Sequence, residues 1–76
     1  MDKANIILFV GLSLCKYRMI TVGGIQQFIK SRPEVGKIID PERIQETLED
    51  LEYVGFVQHV DYGEEVYWSK YSDNQN

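Results

Sequence analysis

Cysteine and histidine are almost missing from this sequence: Cys15 and His59 stand alone among 76 residues. One cysteine excludes an intrachain disulfide, and with it the stapled scaffolds of small secreted proteins. The expected compartment is therefore the reducing cytoplasm. Cys15 lies in an apolar run and reads as an inert, buried thiol. A lone histidine without a spaced partner gives no metal site. The sequence also lacks a nucleophile elbow and a phosphate-binding loop, and Gly23-Gly24 is too short to cradle a phosphate. Glu64 and Glu65 are neighbours whose side chains point to opposite sides of a strand, so they form no acid–base pair. The expectation is a chain with no catalysis, no cofactor, no metal and no small-molecule substrate.

Two further shortages bound the class. The longest apolar run, IILFVGLSL at 6–14, is far short of the roughly 20 residues that span a bilayer, so no membrane partner is expected. It follows Lys3 like the core of a signal peptide, but Leu14 occupies the position before Cys15 where a lipoprotein cleavage box needs a small residue. Its removal would leave only about 60 residues, in the marginal size range, so it reads as a core helix. Positive charge is also in deficit, with 8 Lys and Arg against 12 Asp and Glu.

What is present reads as one α+β domain over 1–71 with a disordered polar tail at 72–76. Nine of the twelve residues from Ala4 to Cys15 are apolar, which predicts a first helix over 2–17 that is hydrophobic nearly all round. Arg18 to Thr21 reads as a short strand ending in an N-cap. A second helix over 22–31 carries Val22, Ile25, Phe28 and Ile29 on one face, and Pro33 closes it. A loop runs to about Ile39. Asp40-Pro41 is a strong start for a third helix with Ile44, Leu48 and Leu51 inward and Gly55 at its end. Phe56 to Asp61 and Glu65 to Lys70 read as the strands of a hairpin around Tyr62-Gly63, with Phe56 and Val60 on one parity and His59 exposed on the other. Trp68 seals the hairpin onto the helices and Tyr67 lies on the open face.

The order helix, short strand, helix, helix, hairpin resembles the winged-helix superfamily. Its most specific stretch here is LEDLEYVGFV at 48–57, a Leu-Glu pair ending the third helix, then glycine, then two apolar residues entering the wing. The Ile20-Thr21 step from strand to cap fits as well, and the resemblance covers about residues 4–70. It implies a three-helix core with a two-stranded wing tipped by Tyr62 and Gly63. It also implies a third helix that enters the DNA major groove, and often a dimer through terminal helices.

Charge divides the chain at Asp40. Residues 1–39 hold six cations against two carboxylates, and residues 40–76 hold two against ten. The halves therefore carry +4 and −8. A reading helix with Glu42, Glu46, Glu49 and Asp50 opposes phosphate, whose neutralisation supplies most DNA affinity. The DNA-binding candidates are accordingly Arg43 and Gln45 near the front of the third helix, with Lys30, Arg32 and Lys37 flanking the loop before it. A second basic cluster is Lys16-Tyr17-Arg18.

Two functions stay open. One is a homodimeric transcriptional regulator that binds double-stranded DNA. The other is a protein-interaction module whose acidic third helix and wing, or apolar first helix, meets a partner, the acidic surfaces suiting a basic protein. The first helix carries more apolar residues than one small core can take, so one stripe is left over. Ile6, Phe9 and Val10 are the candidate dimer face.

Overall fold

The computed structural model describes residues 2–33, 35 and 39–71. It is an α+β arrangement of three helices followed by an antiparallel hairpin: α1 (Lys3–Lys16), α2 (Val22–Lys30), α3 (Pro41–Tyr53), β1 (Val57–Tyr62) and β2 (Glu65–Lys70). The tail at 72–76 and Lys37 lie outside the described residues.

Each helix begins on a side-chain cap. Asp2 accepts from the Asn5 N–H, Thr21 from Gly24 and Asp40 from Glu42, each at 3.0 Å. These bonds satisfy amides that the first helical turn leaves without partners. At the end of α3 the Gly55 N–H donates to the Glu52 carbonyl at 3.0 Å, and the Phe56 N–H donates to Leu51 at 2.9 Å. That pair of bonds is a Schellman motif, and Gly55 takes the left-handed conformation it demands, with φ of 89°.

The core gathers one face of each helix. From α1 it takes Ile6, Phe9, Val10, Ser13 and Leu14, the i, i+3, i+4, i+7, i+8 pattern of a single stripe. Ile25 and Ile29 of α2, Ile44 and Leu48 of α3, Ile39, Val57 and Trp68 complete it. Two hydroxyls are buried with them and bond to their own helices: Ser13 donates to the Val10 carbonyl at 2.7 Å and Thr47 to that of Arg43 at 2.8 Å. Ile39, expected in the loop, is a core residue. Its carbonyl accepts from the Gln26 side chain at 2.9 Å.

The short strand before α2 contracts to a single bridge. Ile20 and Trp68 exchange both backbone bonds, at 3.0 and 2.8 Å, which ties the α1–α2 connection to β2. In the hairpin, Val57 pairs with Lys70, His59 with Trp68 and Tyr62 with Glu65 across a two-residue turn. Gly63 occupies its first position at φ 63°.

Three expectations are corrected. Ile6, Phe9 and Val10 are buried in the core and leave no surface for a dimer. The polar Ser13 belongs to the same stripe and disguises it, and the apolar residues left outside are Ile7, Leu8 and Leu12. Cys15 is exposed rather than buried, because it lies on that outer face of α1. The inward residue at the start of β1 is Val57, whereas Phe56 is 65% exposed. The Schellman turn spends the Phe56 amide on α3 before the strand begins.

Candidate functional site

The strongest concentration of cationic and aromatic side chains forms where α1 ends against α2. Helix α1 stops at Tyr17, which turns to extended backbone while its N–H still donates to the Ser13 carbonyl at 2.8 Å. Lys16 and Tyr17 thereby line a cleft of about 420 Å³ with Gln27, Phe28, Ser31 and Arg32. The Tyr17 and Phe28 rings meet edge to face at 6.3 Å between centroids. The Lys16 ammonium lies 5.8 Å from the Tyr17 ring, and the Arg32 guanidinium 5.0 Å from that of Phe28. Each cation is thus held over an aromatic face. Arg32 Nε is buried and has no acceptor among the described residues. Lys30 is exposed in the last turn of α2 and is not among the residues that line the cleft.

Gly24 makes this end compact. A Cβ there would come within 2.7 Å of Ile20 Cγ1, so α2 can begin directly against the bridge residue only as glycine.

Arg18 turns the other way. With Lys70 it lines a groove of about 480 Å³ that also includes Met19, Val60 and Tyr62. The sequential trio Lys16-Tyr17-Arg18 is therefore divided between two neighbouring clefts, one facing α2 and one facing the hairpin. Arg43 and Gln45 line neither basic cleft.

The outward surface of α3 is carboxylate. Glu42, Glu46, Glu49 and Asp50 are exposed, and Arg43 is exposed among them. The Gln45 amide donates to Glu49 at 2.8 Å. Asp50 pairs with Lys3 of α1. Between α3 and the hairpin, Glu52 accepts from the His59 backbone N–H at 3.2 Å and lies 2.6 Å from its Nδ1. The His59 ring packs at 5.3 Å on that of Trp68. Trp68 Nε1 is buried without an acceptor among the described residues.

At the hairpin end, Tyr62 is exposed and meets Tyr67 edge to face at 5.5 Å. The Tyr67 hydroxyl donates to Glu65 at 2.9 Å. That hydrogen bond, reinforced by the carboxylate's charge, raises the phenol above its ordinary value.

Of the sequence candidates, Arg32 converges with Lys16, Lys30 is exposed at the end of α2 outside that lining, and Arg43 and Gln45 stay apart on α3. Sequence reasoning did not single out Phe28 as the support for Arg32, although their i, i+4 spacing on α2 was available. It also passed over Lys70, which joins Arg18 only through the strand pairing. Among the described residues no three His, Cys, Asp or Glu side chains cluster as a metal site, and no helix is long and apolar enough to cross a membrane. Compared with protein-family models, with curated proteins and with solved structures, the chain matches none of them.

Proposed function

We propose that this chain is a winged-helix DNA-binding protein, a small transcriptional regulator of the cytoplasm. In this reading it meets duplex phosphates through the basic end formed by α1 and α2 rather than through α3. The winged-helix part rests on the order of elements and on the Ile20–Trp68 bridge that attaches the hairpin to the start of α2. The DNA part rests on one observation: Lys16 and Arg32 gather beside an aromatic pair, while the exposed face of α3 holds four carboxylates. Cations held over rings can still donate to phosphate oxygens. Carboxylates on α3 would repel the same array. Arg18 and Lys70 extend the basic surface toward the hairpin, and Tyr62 offers an apolar contact at its tip. The reading includes no catalysis and no cofactor.

The test is fluorescence anisotropy of a labelled random-sequence duplex at about 50 and about 200 mM salt. If Lys16, Arg18, Lys30 and Arg32 each neutralise one phosphate, log affinity falls with log salt at a slope of about −3.6. Affinity then drops about 150-fold across that window. Arg32→Ala or Lys16→Ala lowers the slope by about 0.9 each. Binding that ignores both substitutions sinks the reading.

The row of carboxylates on α3 favours a second reading, a protein-interaction module that presents α3 and the hairpin to a basic partner. Absence of duplex binding even at low salt would select it.

A further inference from the structure

Two grooves abut where α1 meets β2, with Leu14 and Lys70 lining both. The first, of about 470 Å³, follows α1 from Ile7 to Cys15 and is bounded opposite by Leu51 and Phe56. The second, of about 480 Å³, holds Arg18, Gln58, Tyr62 and Ser69. We propose that together they bind a single-chain anionic amphiphile, a fatty-acid carboxylate, with its tail along α1 and its head held by Arg18 and Lys70. Neither cation lines the Lys16–Arg32 cleft, so the site stands whether or not that cleft meets DNA.

The division between the grooves describes a molecule with a head and a tail. The first groove opens onto the core itself, since the buried Val10, Leu14 and Val57 reach its lining. Among the described residues, Lys70 is the one ion on that lining, and no hydroxyl joins it. An occupant must therefore be apolar from Ile7 to Cys15, about 12 Å at the helical rise, which suits a medium-length acyl chain. It can be polar only toward Lys70, where the second groove begins.

Charge specifies the head. Arg18 and Lys70 reach the second groove from opposite ends of the chain, and no carboxylate lines either groove among the described residues. The ion pairs there are Lys3–Asp50 and His59–Glu52, so neither Arg18 nor Lys70 is neutralised. Two such cations gathered in a chain with 12 acids against 8 Lys and Arg repel each other, and an anion between them relieves that repulsion. The guanidinium fork matches the two oxygens of a carboxylate. Gln58, Ser69 and Tyr62 add neutral donors beside it.

Gly11 keeps the tail groove open at its middle. A Cβ there would meet nothing within 4 Å, so the chain's own packing does not call for glycine. Glycine also weakens a helix interior. The space it leaves belongs to the groove.

The experiment is isothermal titration calorimetry of the full chain with decanoate below its micelle concentration, beside decanol and butyrate. Saturable one-to-one binding of decanoate is expected, with amide NMR shifts centred on Gly11, Cys15, Arg18 and Lys70. Decanol lacks the charge and butyrate lacks the tail, so each binds about tenfold more weakly or worse. Arg18→Gln and Lys70→Gln each weaken decanoate by about tenfold. Gly11→Leu fills the groove, blocks decanoate and leaves circular dichroism unchanged or more helical. Absence of saturable binding overturns the proposal, as does decanol binding as tightly as decanoate. Undiminished binding in folded Arg18→Gln and Gly11→Leu chains overturns it too. So does capture by anionic phospholipid vesicles without binding of free decanoate, which would make the face a membrane contact. A dimer mass in sedimentation equilibrium that decanoate leaves unchanged would put a second copy in the groove and overturn it equally.

Discussion

Gly24 and Gly23 are adjacent and chemically identical, yet the structure gives them opposite roles. A methyl group at Gly24 collides with Ile20, a β-branched and buried side chain whose backbone is fixed by both bonds to Trp68. At Gly23 a methyl group meets only the Thr21 hydroxyl at 3.9 Å, an ordinary contact. Gly24→Ala is therefore expected to destabilise the fold by about 1–3 kcal/mol through overpacking. Gly23→Ala is expected to leave stability unchanged or raise it by up to about 1 kcal/mol. Urea denaturation of the two variants measures the difference. The sequence showed only that two glycines open a helix at a cost, because the reason for one of them is a contact with a residue outside that helix.

At the scale of elements, the ends of helices are the most legible features and their faces the least. Asp40-Pro41 and Gly55 mark both ends of α3 with local chemistry that needs no tertiary context. Gly55 carries a prediction. It sits at φ 89° with nothing near its missing Cβ, so Gly55→Ala costs only the left-handed backbone penalty, about 1–2 kcal/mol. Thermal unfolding followed by circular dichroism checks it. A larger loss would mean a steric clash that the geometry does not contain. The faces of α1 were harder to read because apolar residues surround it and the core stripe includes a serine. Only tertiary packing chose Ile6, Phe9 and Val10 over Ile7, Leu8 and Leu12. The parity of β1 was hidden in the same way, since Phe56 and Val57 are both apolar and only the turn before them decides which is inside.

For the molecule as a whole, the division of charge was visible in the sequence, but its arrangement in space was not. Counting to Asp40 separates a basic half from an acidic half without saying which cations meet. The fold brings Lys16 to Arg32 from separate helices and Arg18 to Lys70 from opposite ends of the chain. It leaves Arg43 among carboxylates. The candidate site was thus legible as a list of cations, while its aromatic support by Phe28 and its split between two clefts depended on packing.

The Ile20–Trp68 bridge also bears on the order of events in folding. It joins residues 48 positions apart, so its loop-closure entropy must be met before its two hydrogen bonds contribute anything. The helices and the two-residue hairpin turn rely on local contacts and can form without it. The bridge is therefore expected to form late, after the transition state. Ile20→Val removes one buried methylene and costs about 1 kcal/mol. That loss is expected to appear almost wholly as faster unfolding, with the refolding rate unchanged in a stopped-flow chevron. Slower refolding would instead place the meeting of the α1–α2 connection with β2 in the folding nucleus.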